Sequence, residues 1–406
     1  MNIPHDKFCV LPWVSLEASP IGTVRPCCLA MDELVDSDNN KFKLATTPLS
    51  DIQNSTAMRR LREQFINAEK PQTCRRCWNE ERAGRTSKRM HTLDRLKHMI
   101  GDNVEWTADA RPLMFLDLKL GNICNLKCRI CGSWSSSQFA AEETRFNRKE
   151  EQRASFAYQM LKEGAWPRES TEFWADLDTH LDDVRYIEFT GGEPFMIKEH
   201  FQLLEKLVTT GRAGQVEIHY NTNGTQWPEE AEDIWKHFKH VEIAFSIDDV
   251  EQRFEYQRSN AVWTEVVENL AKFKDLRSRN SNITLQACCT INVFNVYYLD
   301  TVARWIDQQG FDFVYWNMMH DAYYYSISTL PEQAKAVITD RLLTADVPDK
   351  FKEEFKRTAE FMNRGNSLDG NLLRMNLRDL DFKRQQNLAT VEPEFAQLID
   401  YDFSNT

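Results

Sequence analysis

Beyond Arg111-Pro112 the chain alternates short apolar runs with longer segments of helical period. The runs at 113–120, 184–190, 215–221, 241–248, 283–292 and 311–319 read as strands, being short, rich in β-branched or aromatic residues and bounded by polar breakers. Between them, 196–210, 229–239, 261–277 and 296–309 repeat apolar residues at the 3.6-residue period of a half-buried helix. Repeated strand–helix units predict parallel strands joined by right-handed crossovers. Six such units predict an α/β fold, an open partial (β/α)6 TIM-like barrel rather than a closed eight-stranded one. Residues 149–182, rich in charge and Trp, read as a helical insertion after the first strand. The expected organisation is a cysteine-rich N-terminal domain over 1–105, a core barrel over 106–325 and a helical C-terminal extension over 326–406.

Alternation inside the strands predicts which side chains face inward. Val241, Ile243, Phe245 and Ile247 share one face, and Glu242, Ala244, Ser246 and Asp248 the other. Glu217, His219, Asn221 and Asn223 oppose Val216, Ile218 and Tyr220 in the same way, and Thr284, Gln286, Cys288, Thr290 and Asn292 oppose Ile283, Leu285, Ala287, Cys289 and Ile291. The apolar faces should lie under helices, leaving a polar lumen. A purely structural barrel would fill that lumen with branched apolar side chains, so a polar ligand is expected there.

Composition narrows the setting. No run approaches the roughly 18 uninterrupted apolar residues of a membrane span, and the N-terminus lacks a basic stretch followed by an apolar core. The cytoplasm is therefore the expected compartment, where ten cysteines point to metal or cluster ligation rather than disulfides. A net charge of -12 argues against a chain that coats nucleic acid. The basic stretch Arg75, Arg76, Arg82, Arg85, Lys88, Arg89, Arg95 and Lys97 reads first as a solvated helix face, and second as an anion-binding surface.

The candidate chemistry lies in the run GNICNLKCRIC, where Cys124, Cys128 and Cys131 follow the first core strand at Cys-x3-Cys-x2-Cys spacing. Three thiolates can hold three corners of a cubane iron–sulfur cluster and leave the fourth iron open to a small molecule. Zinc is the alternative, but structural zinc sites close with four ligands, commonly in paired units. Sites on parallel strands gather beyond their C-terminal ends, where the second strand supplies TGGEP (190–194), the third NTNG (221–224) and the fourth SID (246–248).

Together these motifs resemble the radical S-adenosylmethionine (radical SAM) enzyme superfamily over about 110–320. The resemblance implies that Cys124, Cys128 and Cys131 hold a 4Fe–4S cluster whose open iron is chelated by S-adenosylmethionine. It implies that Gly191, Gly192 and Glu193 receive the amino group, and that Ser246 and Arg258 bind ribose or carboxylate, with Asn221 and Asn292 as further contacts. It also implies a reduced electron donor such as a flavodoxin or ferredoxin. One departure is Ile130, where the family usually has an aromatic residue.

The N-terminal cysteines form Cys9-x12-Gly22-x4-Cys27 followed by Cys74-x2-Cys77. Spacing alone leaves a structural zinc and an iron–sulfur cluster equally open. The runs FCVLPW, GTVRPCC and CRRCW resemble SPASM or twitch modules, which implies a second, auxiliary 4Fe–4S cluster on Cys9, Cys27, Cys74 and Cys77. Cys28 could replace Cys27, though only Cys27 completes the glycine spacing. Such modules normally follow the barrel, whereas this one precedes it.

Other residues have plainer readings. Cys288 faces the lumen but is expected to be packed, Cys289 is expected in the core, and Asp117 with Lys119 is expected to form an internal ion pair. The aromatic run around Tyr315, Trp316, His320, Tyr323, Tyr324 and Tyr325 is expected mainly to pack. The leading function is hydrogen abstraction by a 5′-deoxyadenosyl radical from a peptide or protein. The alternatives are a small polar metabolite, a nucleic acid modified through the basic segment, or a non-catalytic iron–sulfur electron carrier.

Overall fold

The computed structural model describes residues 2–82, 86–101, 104–146, 148–319, 322–368 and 370–402; Arg85 and His320 lie outside them. The chain divides into two compact units. The first comprises Met1–Cys124, Ser133–Asn221 and Pro228–Val241, and the second Asn125–Gly132, Thr222–Trp227 and Glu242–Thr406.

The strands of the first unit are β1 (Ser15–Ala18), β2 (Val24–Arg25), β3 (Phe115–Lys119), β4 (Tyr186–Thr190) and β5 (Glu217–Thr222). Those of the second are β6 (His240–Ser246, which begins in the first unit), β7 (Ile283–Ile291) and β8 (Phe313–Met318). The hydrogen-bonded order is β2-β1-β3-β4-β5 in one unit and β6-β7-β8 in the other, so from β3 onward it follows the sequence. β1 with β3, β3 with β4, β4 with β5, and β7 with β8 are parallel, and only the β1–β2 pair is antiparallel among those whose register is described. This is the mixed α/β class expected from the pattern. Each of the six anticipated strands is present within two residues of its expected ends.

Two findings in the first unit were not foreseen. The cysteine-rich N-terminus contributes, besides α1 (Thr56–Ile66), the strand β1, which pairs with β3 in the register Glu17↔Asp117. All four residues of β1 are buried, so no alternation marks it as a strand. The basic stretch is also not a simple solvated face, because several of its cations turn inward from α2 (Arg75–Arg82) and α3 (Lys88–Leu96). Arg89 is buried and forked onto Glu81, Lys88 pairs with Glu188 at 2.7 Å, and Arg95 lies 4.5 Å over the Tyr186 ring.

Alternation behaves as the period predicts. β5 buries Ile218, Tyr220 and Thr222 and half-exposes Glu217, His219 and Asn221; β7 repeats this over nine residues. Tyr220 and Phe189 stack at 5.2 Å on the apolar side of the first unit, where α6 (Glu199–Thr209) buries Phe201, Leu204 and Leu207. In the second unit α7 (Glu251–Gln257), α8 (Trp263–Arg279) and α9 (Leu299–Gln309) alternate with the strands. Helices α10 (Glu332–Thr344), α11 (Asp349–Arg364) and α12 (Asn371–Arg384) follow within 326–406, and residues 149–182 contain α5 (Phe156–Glu163), with α4 (Ser137–Phe146) ahead of them. No helix of the described residues is long and apolar enough to cross a membrane.

Candidate functional site

β3 delivers the chain into the cysteine loop, whose first part is tied down within the first unit. The Asn122 amide nitrogen donates to the Gly164 carbonyl at 3.1 Å, its side chain donates to the Ser133 carbonyl at 2.8 Å, and the Cys124 N–H reaches Ser137 Oγ at 3.2 Å. The glycines after β4 press against this same segment. Gly192 sits at φ +56°, and a Cβ there would lie 2.4 Å from the Ile123 carbonyl oxygen. The Glu193 N–H donates to that oxygen at 2.7 Å. A side chain at 192 therefore meets both a backbone penalty and a clash. The close approach that requires glycine is to the chain's own cysteine loop, one residue before Cys124. The Glu193 carboxylate is buried and accepts from the Phe195 N–H at 3.3 Å, capping the turn Pro194–Met196.

The rest of the loop belongs to the second unit and is held by three devices. Its backbone pairs with the segment after α7, Lys127 N–H to the Ser259 carbonyl at 3.1 Å and Arg129 N–H to the Gln257 carbonyl at 2.7 Å. Its asparagine is gripped by the NTNG turn: Asn223 donates to Asn125 Oδ1 at 3.0 Å, and Asn125 donates to Thr225 Oγ1 at 2.8 Å. Its second cysteine faces a guanidinium, with Arg258 Nη1 3.8 Å from Cys128 Sγ and Nη2 2.6 Å from Asp248 Oδ2. The Cys131 thiol's hydrogen bond draws the Cys128 thiol down to about 7, with Arg258 adding to it and burial opposing it. A buried thiol that ionises readily is a ready ligand for an iron centre.

In the first unit Cys9, Cys27, Cys74 and Cys77 all line one cavity, with Phe65, Lys88 and Arg89 among the other lining residues. Cys74 immediately precedes α2 and Cys77 is its third residue, so one helical turn aims both thiols to the same side. Burial raises the Cys9 thiol well above its ordinary value, with Cys74 and Cys27 adding to it, and burial with Cys77 pushes Cys27 up to about 11. Among the described residues no three His, Cys, Asp or Glu close on a single metal ion. Thiols spaced around a shared cavity suit a cluster, whose ligands sit on separate irons, and Lys88 and Arg89 supply positive charge beside it. Cys28 does not line this cavity; its electrostatic neighbours are Lys88, Asp117, Glu188 and Lys119.

Those neighbours form a buried charged row. Glu17, Asp117, Glu188 and His219 are register partners on four adjacent parallel strands, so they stand side by side on one face. Lys119 bonds Glu17 at 2.6 Å and Asp117 at 3.4 Å, and Arg25 forks onto both Glu17 oxygens at 2.8 Å. The Asp117–Lys119 pair expected from the sequence is thus one link of a larger lattice. Burial alone would depress the Lys119 ammonium, but Asp117 and Glu17 hold it above its ordinary value.

Of the remaining expected contacts, Asn221 is half-buried on β5 and Ser246 half-buried at the end of β6. Asn292 is fully buried with its amide engaged locally, donating to the Thr290 carbonyl at 2.8 Å and accepting from the Phe294 N–H at 2.8 Å. Cys289 is in the core, and burial pushes the half-buried Cys288 up to about 12, with Asp248 adding to it. Sequence reasoning missed Asn125, Arg129, Asp248 and Thr225 as loop-holding residues. For Asn125 and Arg129 the available signal was polar residues between the cysteines themselves, which metal-ligand spacing does not require.

Residues 118–293 match the model of the radical SAM superfamily, and residues 9–78 match that of the SPASM iron–sulfur cluster-binding domain. The chain thus carries a radical SAM domain preceded by a SPASM segment. All three loop cysteines fall in the first match and all four cavity thiols in the second. A radical SAM domain carries a 4Fe–4S cluster and S-adenosylmethionine, and a SPASM domain carries further iron–sulfur clusters. The donor sets fit both groups: three cysteines in a loop packed by the glycine turn, and four around one cavity.

Solved structures similar to this chain include anSMEcpe with bound AdoMet and Cp18Cys peptide, at 15% identity over 61% of this chain and 62% of that one, TM-score 0.36. Another is Streptococcus suis SuiB bound to precursor peptide SuiA, at 11% identity over 84% and 69%, TM-score 0.34. A third is TYW1 with a lysine-pyruvate adduct, at 11% over 56% and 70%, TM-score 0.29. The chain spans about three fifths of the length of the first of these (62%), and the ligands in their titles are those proteins' own. No curated protein matches the chain.

Proposed function

We propose that this radical SAM enzyme cleaves S-adenosylmethionine reductively at a 4Fe–4S cluster held by Cys124, Cys128 and Cys131. When bound, cluster and cosubstrate supply one electron and a 5′-deoxyadenosyl radical that takes a hydrogen atom from an unactivated C–H bond. The observation that carries this reading is the packing of the GGE turn on the cysteine loop through Gly192 and the Glu193 N–H. A metal-free scaffold has no need to fix a three-thiol loop so tightly.

In this reading the chain's own groups divide the work. Gly191, Gly192 and Glu193 accept the amino group, and Arg258 lies against Cys128, able to pair with a carboxylate or a thiolate. Ser246 and Asn221, each half-buried on its own strand, offer further polar contacts. Asn292 supports the turn after β7 before it can serve a ligand, since its amide is already bonded. Cys9, Cys27, Cys74 and Cys77 hold an auxiliary 4Fe–4S cluster; four thiolates favour full ligation, and so electron transfer or structural support over substrate binding. A flavodoxin or ferredoxin in the cytoplasm would supply the electron. The SPASM segment supports a peptide or protein substrate, with a small polar metabolite as the second reading.

The test is spectroscopic. Anaerobically reconstituted, reduced protein should show a 4Fe–4S electron paramagnetic resonance signal that shifts when S-adenosylmethionine is added. A fully loaded protein whose spectrum ignores S-adenosylmethionine would leave an electron carrier as the better reading.

A further inference from the structure

Arg129 stands between two of the three loop thiols, in the run Cys128-Arg129-Ile130-Cys131, and its side chain is completely buried. Its Nε donates to the Tyr256 carbonyl at 2.9 Å, and its guanidinium lies 3.7 Å over the Tyr256 ring. Its Nη2 donates to Asp381 Oδ1 at 2.5 Å and to Gln386 Oε1 at 2.9 Å. Asp381 lies on α12, 252 residues further along the chain. Its carboxylate is saturated by three more donors, Tyr256 Oη at 2.9 Å, the Leu388 N–H at 2.9 Å and Tyr401 Oη at 2.5 Å. The same helix ends at Arg384, which donates to Ser259 Oγ at 3.2 Å, and Ser259 supplies the carbonyl that receives the Lys127 N–H.

We propose that Arg129 and Asp381 are positioning residues for the radical-generating cluster, with α12 bracing its ligand loop. The proposal rests on the cluster assignment above. Stability alone does not call for this arrangement, since well-packed apolar side chains often replace a buried ion pair without loss. A guanidinium whose Nη2 is shared between a four-donor carboxylate and the Gln386 amide oxygen, with Nε on the Tyr256 carbonyl, adds a single register, because any slip of the loop leaves buried charges unpaired. Fixing residue 129 in that register fixes the thiols on either side of it. It also keeps Cys128 opposite Arg258, whose own orientation is set by Asp248. Residues behind metal ligands set ligand orientation, and their loss typically costs about 10–100-fold in metal affinity or activity.

The experiment compares full-length wild type with Asp381→Asn, Arg129→Met and Arg129→Lys after anaerobic reconstitution. A Cys128→Ala protein supplies the auxiliary-cluster spectrum for subtraction. The signal that responds to S-adenosylmethionine should broaden and weaken in Asp381→Asn and Arg129→Met, while the auxiliary signal stays unchanged. Formation of 5′-deoxyadenosine should fall about tenfold or more, and Arg129→Lys should recover part of both. Folded variants with a wild-type signal and rates within about twofold of wild type would overturn the proposal. Where the variants do not fold, hydrogen exchange on the wild-type apoprotein decides: the Lys127 and Arg129 amides should be protected, and exchange at the rate of exposed amides would overturn it. A loaded wild type without any S-adenosylmethionine response would instead remove the cluster assignment itself.

Discussion

Cys27 and Cys28 are neighbours in sequence with different surroundings. Cys27 lines the four-thiol cavity, whereas Cys28 sits among the charges of Lys88, Asp117, Glu188 and Lys119. Cys27→Ser should therefore lose the auxiliary cluster, seen as about four fewer irons per chain, while Cys28→Ser keeps the full complement. The reverse result would exchange the two assignments. The glycine spacing had pointed to Cys27, and the cavity gives that preference a physical basis. The GGE motif was equally legible, but its reason was not: a motif shows that backbone must come close, and only coordinates show what it comes close to. Gly192→Ala should cost about 2 kcal/mol or more through positive φ and the clash with Ile123. Calorimetry checks this; a change below about 0.5 kcal/mol would mean the loop yields freely.

At the scale of elements, the charged row across β1, β3, β4 and β5 has a consequence for acid stability. Burial opposes ionisation of Glu188, but Lys88 and then His219 outweigh it and hold the carboxyl down at about 2, against an ordinary 4.5. A depressed carboxyl contributes stability above its unfolded value and loses it as pH falls. Wild type should thus lose stability between pH 4.5 and about 2, and Glu188→Gln should flatten that part of the melting profile. At neutral pH the same substitution should destabilise by about 3 kcal/mol, because it leaves Lys88 buried without its carboxylate. A steep acid limb retained in Glu188→Gln would assign the loss to other groups. β5 and β7 were legible because their two faces differ, and β3, which buries four of its five residues, was legible as a mainly apolar run bounded by breakers. β1 was not, because every one of its residues is buried. The basic segment misled for a related reason: a count of cations on helices says nothing of carboxylates such as Glu188 that reach them from a strand 100 residues away.

For the whole molecule, the sequence carried the chemistry better than its supports. Thiol spacing is local and survives without any knowledge of the fold, so both cysteine sets could be read from the chain. The Arg129–Asp381 link joins residues 252 apart, beyond anything that periodicity or spacing encodes. The SPASM segment preceding the core was visible as an order of motifs, and its four thiols now share a cavity. With four other thiols so placed, the three-cysteine loop is left with an incomplete ligand set, which is what radical chemistry at an open iron requires. The most direct measurement is 5′-deoxyadenosine released by reduced, anaerobically reconstituted protein given S-adenosylmethionine, in wild type and in Cys128→Ala. The account predicts release by wild type and none by Cys128→Ala, with the auxiliary iron retained in the variant. Equal release by both proteins, or none from a wild type shown to carry both clusters across several reductants, would contradict it.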